Sequence, residues 1–459
     1  MMFHTWIFLP FFLIVYAVYL ALKRTKFKNF WILFASYVFY GWWNPLFLII
    51  IAYSTVIDYI VVAIMEKCER RKKMLLAISI INNLALLSFF KYSGFVTENL
   101  NALLLNLGVS YAIDMPDLFF PIGISFYIFK SIGYVIDYYR GDVEREKNFI
   151  RHATFVSFFP ILMLGPIERA GSLLRQLRKT PEISKQDIAD GFSLFIVGLF
   201  KKVALADYLV LYVDKIYDAP VEYQSPALIL AAFAFSWQIY FDFSGYTDMA
   251  RGVARMMGFR LMLNFNNPYL ATGLGDFWAR WHISLSSWFK DYVYIPLGGN
   301  RKGRFNTYKN MFLTMLISGL WHGAAWTFVI WGAVHALGRF CTRELEKTSF
   351  YKERVPKVVK QVLVFVFVSF AWIFFRAETI SDAWVIITRI FSSGLANPYC
   401  PLLALALIFA VWLYQFTYES KLRWVLELRY VRIGIVLLMI IYLTVFAPSI
   451  EQPFIYLQF

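Results

Sequence analysis

From Asn310 to Leu337 the chain reads NMFLTMLISGLWHGAAWTFVIWGAVHAL, without an acidic residue, a lysine or an arginine. A run this long and apolar belongs inside a bilayer. Its only ionisable side chains are His322 and His335. An imidazole in such surroundings costs free energy unless it is paired or used. Lys309 is the last charge before the run and marks a membrane surface. A helix begun there carries His322 about 20 Å along its axis at roughly 1.5 Å per residue, against a hydrocarbon core of about 30 Å. His322 is therefore expected well inside the membrane, at the frayed end of its own helix. Gly319 and Gly323 bracket it, so the backbone can bend there or let a ligand approach closely.

Other long apolar runs repeat this constraint. Hydrophobic residues make up 59% of the 459, charged residues only 16%, and mean hydropathy is +0.56. So little charge cannot cover a soluble protein of this size, which predicts an all-α, polytopic membrane protein. The net charge of +15 comes from short basic loops between apolar runs, the positive-inside pattern, and implies no nucleic-acid partner. Cys68, Cys341 and Cys400 are too few and scattered for a disulfide framework or a metal cluster. The first run, Thr5 to Leu22, lacks the basic flank and cleavage site of a signal peptide and reads as a retained span.

Basic loops set the topology. Lys23, Arg24, Lys26 and Lys28 place the end of the first run in the cytoplasm and the N-terminus outside. Phe30–Trp42 and Leu46–Met65 form a hairpin turning at Asn44-Pro45. Met74–Phe90 goes out, Glu98–Pro116 is interfacial, and Leu118–Tyr139 returns. Thr154–Ile167 is short, interrupted by Pro160, Gly165 and Pro166, and basic on both flanks, which predicts a re-entrant element. Asp187–Tyr217 has a helical pattern with Lys201-Lys202 in its middle, arguing for a break or a polar cavity. Val362–Phe375, Leu402–Tyr414 and Ile433–Phe446 are further spans, and Ala383–Phe391 is interfacial. The expectation is eleven or twelve spans in a single domain over 1–459, with N-terminal spans to 116, a catalytic core over 117–340 and C-terminal spans after it. No internal repeat of the transporter kind is visible.

The segment DFWARWHISLSSWFKDYVYIPLGGNRKG, Asp276 to Gly303, is too polar to face lipid. His282 lies in it among Trp278, Trp281 and Trp288. Asp276 and Arg280, spaced i, i+4, can pair on one helical face, and Ser286, one turn beyond His282, can hydrogen-bond it. Pro296 ends the helix. Gly298, Gly299 and Asn300 then make a turn followed by Arg301, Lys302 and Arg304, a combination suited to a phosphate-bearing ligand and equally to a topology signal. Asp242 and Asp248, in FDFSGYTDMARG with Tyr246, are candidate partners of Arg251 or Arg255 or supports of a site. His4 is terminal, His152 lies in a charged loop, and His335 reads as a packing residue.

A membrane histidine is more often structural than catalytic. Two, each beside tryptophan and each near a polar break, favour function. A neutral imidazole can take a proton from a hydroxyl as a general base. With His322 in that role, the hydroxyl oxygen attacks an acyl carbonyl, and His282 or a backbone N–H steadies the oxyanion. Ser318, one turn back, is the nearest hydroxyl, so direct transfer fits better than an acyl-enzyme.

WHISLSSWFKDYVYIPLGGN together with LWHGAAWTFVIWG resembles the membrane-bound O-acyltransferases, and among them those that acetylate bacterial glycans such as alginate. FFPIGISFYIFKSIGYVIDYYR (Phe119–Arg140), GPIERAGSLLRQ (Gly165–Gln176) and QIYFDFSGYTDMARGVARMMGFRLMLNFNNPY (Gln238–Tyr269) extend the resemblance in the same order. It implies His322 as the catalytic histidine, His282 as the second, and a curved shell of helices with a tunnel through it, for which Trp321, Trp278 and Trp281, the neighbours of the two histidines in sequence, are candidate lining residues. It implies acetyl-CoA as a cytoplasmic donor with no tightly bound cofactor and no metal. It also implies a bacterial inner-membrane location, a periplasmic acetyltransferase partner and a polysaccharide acceptor. Lys130 stands where relatives commonly carry glutamine, and Ala336 where a glycine is usual. D-alanyl transfer to a cell-envelope polymer, or a relay channel without chemistry, are the alternative readings.

Overall fold

A computed structural model describes residues 1–116, 118–446 and 452–457, the last without the Leu457 side chain, and among these the secondary structure is entirely helical. The helices are α1 Phe8–Leu22, α2 Lys28–Gly41, α3 Phe47–Lys67, α4 Lys72–Asn106, α5 Ile124–Arg140, α6 Phe149–Ser157, α7 Ala170–Arg178, α8 Lys185–Phe200, α9 Asp207–Tyr217 and α10 Ser225–Met256. They continue as α11 Leu274–Arg280, α12 Ile283–Phe289, α13 Gly303–His322, α14 Trp326–Leu345, α15 Lys357–Arg376, α16 Ile380–Ser392, α17 Leu402–Tyr418, α18 Arg423–Glu427 and α19 Arg429–Phe446. Among the described residues five helical stretches are long and apolar enough to cross a membrane: Phe47–Lys67, Glu69–Asn106, Ser225–Met256, Lys357–Arg376 and Arg429–Phe446. Phe8–Leu22 and Leu402–Tyr418 are apolar but shorter.

The chain forms two compact units: residues 1–189 with 253–262, and 190–252 with 263–459. In the first unit, Asn44 turns α2 into α3 as expected, its Oδ1 accepting from the Leu46 N–H at 2.9 Å. Helix α4 runs past Phe90 to Asn106, taking in the first part of Glu98–Pro116, because no proline or glycine pair interrupts it before Gly108. Thr154–Ile167 is not a span. The nine residues of α6 end at Ser157, a 3₁₀ turn follows at Phe159–Ile161, and residues 152–168 are buried throughout. Protein surrounds this irregular backbone, which is the condition under which it is tolerated at membrane depth. His152 belongs to this buried helix, with its ring against Tyr134 at 4.9 Å and Tyr59 at 5.6 Å. It is not a loop residue, since Asn148 caps the helix by accepting from the Arg151 N–H at 2.9 Å. Lys130 is buried in α5 and donates to the Val156 carbonyl at 2.5 Å.

In the second unit the helical line from α8 to α9 is interrupted where the lysine pair predicts, by a π-helical turn over Lys201–Ala206. Both lysines are paired with carboxylates. Lys201 Nζ meets Asp248 at 2.6 Å, and Lys202 Nζ meets Asp207 at 2.7 Å and Asp242 at 2.9 Å. Asp242 therefore serves Lys202, not Arg251 or Arg255. Arg251 does reach Asp248, at 3.6 Å. The helices α13 and α14 make a hairpin closed by glycines. A Cβ at Gly332 would stand 2.4 Å from the Met315 carbonyl oxygen, and one at Gly323 would strike the Phe328 ring. The glycines around His322 thus serve close helix packing rather than ligand approach.

Candidate active site

Every residue singled out as a site candidate falls in the second unit. His322 is the last residue of α13. The chain leaves it extended through Gly323, then re-enters a helix at Trp326. This exit aims the imidazole into a ring of aromatics: Trp321 at 4.9 Å, Trp331 at 5.0 Å, Phe375 at 5.4 Å and Tyr456 at 5.6 Å between centroids. His322 is buried, at 4% exposure.

His282 joins α11 to α12 but belongs to neither. Its φ of 43° and ψ of 54° lie in the left-handed region, which costs a non-glycine residue about 1 kcal/mol or more. Neighbouring backbone holds it there: Asn266 N–H donates to Arg280 C=O at 2.9 Å and Ile283 N–H to Asn264 C=O at 2.9 Å. The continuous helix expected from Asp276 to Pro296 is therefore broken at the histidine. The break also undoes the expected Ser286–His282 side-chain bond, which assumed one unbroken turn. Ser286 Oγ donates to the Trp281 carbonyl at 3.1 Å. His282 Nδ1 instead faces Asn264 Oδ1 at 3.1 Å, with Ser284 Oγ at 3.4 Å. Ser284 also donates to Asn264 Oδ1 through its Oγ at 2.9 Å and its N–H at 3.2 Å. A carbonyl oxygen opposite Nδ1 favours the tautomer protonated there and leaves Nε2 an acceptor.

One ring links the two histidines. Trp321 lies 4.9 Å from His322 and 6.2 Å from His282. Phe243 packs edge-on to His282 at 4.6 Å and meets Tyr456 at 4.3 Å. The other expected tryptophans sit elsewhere. Trp278 contacts His335 at 5.0 Å and Trp331 at 5.8 Å. Trp281 packs on Phe265 at 5.0 Å and Trp372 at 5.2 Å. An unbroken helix would have set Trp278, four residues back, on the face of His282, and the break removes that alignment.

Asp276 and Arg280 do pair, at 2.7 Å, and Arg280 also reaches Glu419 at 2.6 Å. Asp276 accepts from the Thr272 N–H at 3.1 Å, so the pair fastens the start of α11. Gly298 and Gly299 adopt positive φ, as the predicted turn requires. Their N–H groups, however, close that turn onto Ile295 and Tyr294 carbonyls at 3.0 and 2.9 Å, so these amides are committed. A phosphate would be met by Arg301 and Lys302, both exposed, since Arg304 pairs with Glu344 at 2.7 Å. Asn300 is exposed in the same turn. Tyr246 is buried against Phe454 at 5.1 Å.

Asn264, Trp331 and Tyr456 are site residues that the sequence reading did not select. Asn264 lies in the quoted LNFNNPY, yet nothing in its spacing reveals a histidine partner eighteen residues on. Tyr456 lies more than a hundred residues beyond His322, in QPFIYL, and only tertiary structure joins them.

The membrane-bound O-acyltransferase family model matches residues 143–381. The probable alginate O-acetylase AlgI of Pseudomonas aeruginosa is 41% identical over 86% of this chain and 75% of its own. The corresponding protein of Azotobacter vinelandii is 41% identical over 84% of this chain and 77% of its own. The peptidoglycan O-acetyltransferase of Helicobacter pylori is 34% identical over 79% of this chain and 73% of its own.

Proposed function

The chain belongs to the membrane-bound O-acyltransferase family, and from that premise we propose that this membrane O-acyltransferase takes an acetyl group from cytoplasmic acetyl-CoA and feeds O-acetylation of an extracytoplasmic polysaccharide such as alginate. His322 accepts the proton of an acceptor hydroxyl. The hydroxyl oxygen attacks the acetyl carbonyl carbon, the new C–O bond forms, and the C–S bond breaks. The coenzyme A thiolate leaves and takes up the proton. His282, with Nε2 as an acceptor, holds an N–H or O–H of the incoming substrate rather than the oxyanion, which falls to backbone N–H groups. Arg301, through its planar guanidinium fork, and Lys302, as a point charge, meet the donor's phosphates on the cytoplasmic side. A periplasmic acetyltransferase partner completes delivery to the glycan in the bacterial inner membrane, and the N-terminus faces the periplasm.

The observation that carries this reading is the Trp321 ring held against both buried histidines. Such a shared wall excludes water from the space between two imidazoles, where proton transfer is wanted. Purified protein with radiolabelled acetyl-CoA tests it. The wild type should release or transfer acetyl, and His322→Ala, present in the membrane at the same level, should lose about 10²–10⁴-fold, the usual contribution of a general base. Undiminished transfer by His322→Ala would remove His322 as the base.

A further inference from the structure

Residues 452–457 reach the centre of the second unit from the far end of the chain. Phe454, Ile455 and Tyr456 are all buried. Two charged groups grip their backbone. Lys202 Nζ donates to the Pro453 carbonyl at 3.3 Å, and Asp242 Oδ2 accepts from the Ile455 N–H at 2.8 Å. Between these points Phe454 packs its ring 4.4 Å from Lys202 Nζ and 5.1 Å from Tyr246. The grip belongs to a single ion cluster, since the other oxygen of Asp242 holds Lys202 at 2.9 Å and Asp207 holds it at 2.7 Å.

In these two ion pairs two carboxylates meet one ammonium, a formal excess of one negative charge. Lys202 and Asp242 have side chains only 1% and 3% exposed, where an uncompensated charge is expensive. The Ile455 N–H is a donor that offsets that excess, so the segment completes the cluster and the cluster fixes the segment. One residue beyond the grip, Tyr456 lies 5.6 Å from His322, 4.3 Å from Phe243 and 6.1 Å from Phe375. Its hydroxyl is buried and finds no hydrogen-bond partner among the described residues. A phenol so placed, beside the proposed base, can meet a substrate group.

We propose that Asp242 and Lys202 are positioning residues of the acyl transfer: they clamp the backbone of 453–455 and thereby hold Tyr456, its ring 5.6 Å from that of His322, beside the proposed base. This rests on the function proposed above. The clamp explains why an ion cluster sits so deep in an apolar unit, and why Asp242 turns one oxygen to a cation and the other to a peptide N–H.

Two measurements on the full-length protein test it. The first is hydrogen exchange of the 454–457 amides, slow in the wild type and faster by tenfold or more in Asp242→Ala; equal exchange would overturn the clamp. The second is a double-mutant cycle on acetyl transfer. Tyr456→Phe keeps the ring packing, and should lower kcat about tenfold with KM for acetyl-CoA unchanged, the signature of a lost transition-state contact. Asp242→Asn should lower kcat similarly. If Asp242 acts through Tyr456, the double variant is no slower than the slower single one, within about twofold. Losses that multiply, or wild-type turnover in Tyr456→Phe, would overturn the positioning role. A wild-type protein inactive with acetyl-CoA, yet showing the exchange difference, would sink the proposed function and leave the clamp intact.

Discussion

A Cβ placed on Gly319 would stand 2.2 Å from the Phe328 carbonyl oxygen. That approach brings the end of α13, with His322 three residues on, against the start of α14. It cannot be relieved by a side-chain rotation, because the obstructing atom is backbone. Gly319→Ala should therefore separate the two helices and displace His322 from Trp331. The expected cost is about 1–3 kcal/mol, the usual range for overpacking, with transfer reduced more than substrate binding. Thermal unfolding in detergent and acetyl-transfer kinetics check both parts. An unchanged melting temperature would show that the hairpin has slack.

Asn264 receives three groups on one oxygen: His282 Nδ1, Ser284 N–H and Ser284 Oγ. It fixes both the tautomer of His282 and the backbone after it. Asn264→Ala should cost about 1–3 kcal/mol of stability through buried donors left unsatisfied, and should lower kcat because His282 can rotate or change tautomer. Asn264→Asp keeps an oxygen at that place and should recover part of kcat. Equal turnover in the alanine and aspartate variants would separate Asn264 from the chemistry.

Much of this arrangement is legible in the chain itself. Lys201-Lys202 inside an apolar pattern announce a helix break, since charges at membrane depth need partners that a plain span does not supply. The uncharged run around Trp321-His322 announces the buried imidazole. Local spacing fails where the backbone leaves the helix it assumes. His282 in the left-handed region redirects Trp278 and Ser286, and no residue type at 282 signals that, because a histidine there is not a glycine. His152 looks exposed from its charged neighbours, but Glu146 among them is itself buried and pairs with Arg151 at 2.8 Å, and the helix that carries His152 is buried from 152 to 157. Tyr456 is illegible for another reason: the grip of Asp242 and Lys202 is a contact across more than two hundred residues.

His335 supplies a control among the three buried histidines of the second unit. It packs on Trp331 at 4.8 Å, Trp278 at 5.0 Å and Phe277 at 6.2 Å. Neither ring nitrogen has a hydrogen-bond partner among the described residues. Its contribution is the shape of a flat ring. His335→Phe should therefore fold to within about 1.5 kcal/mol of the wild type, as near-isosteric core exchanges do, and should keep acetyl transfer. Loss of transfer with an unchanged melting temperature would assign His335 a chemical role that its surroundings do not suggest.

Lys202 carries the largest expected effect on stability. Replacing it by methionine keeps the length of the side chain but takes away the cation that Asp207 and Asp242 share. Removing one partner of a buried ion pair costs about 3–5 kcal/mol, because the remaining charge stays desolvated. Lys202→Met should accumulate poorly in the membrane and melt at markedly lower temperature. Adding Asp207→Leu and Asp242→Asn removes both stranded charges while keeping an amide oxygen for the Ile455 N–H. The triple variant should regain most of the lost stability, since well-packed neutral residues replace buried ion clusters at little net cost. Melting curves of the single and triple variants in the same detergent make the comparison. A single variant as stable as the wild type would mean that water reaches the cluster and screens it.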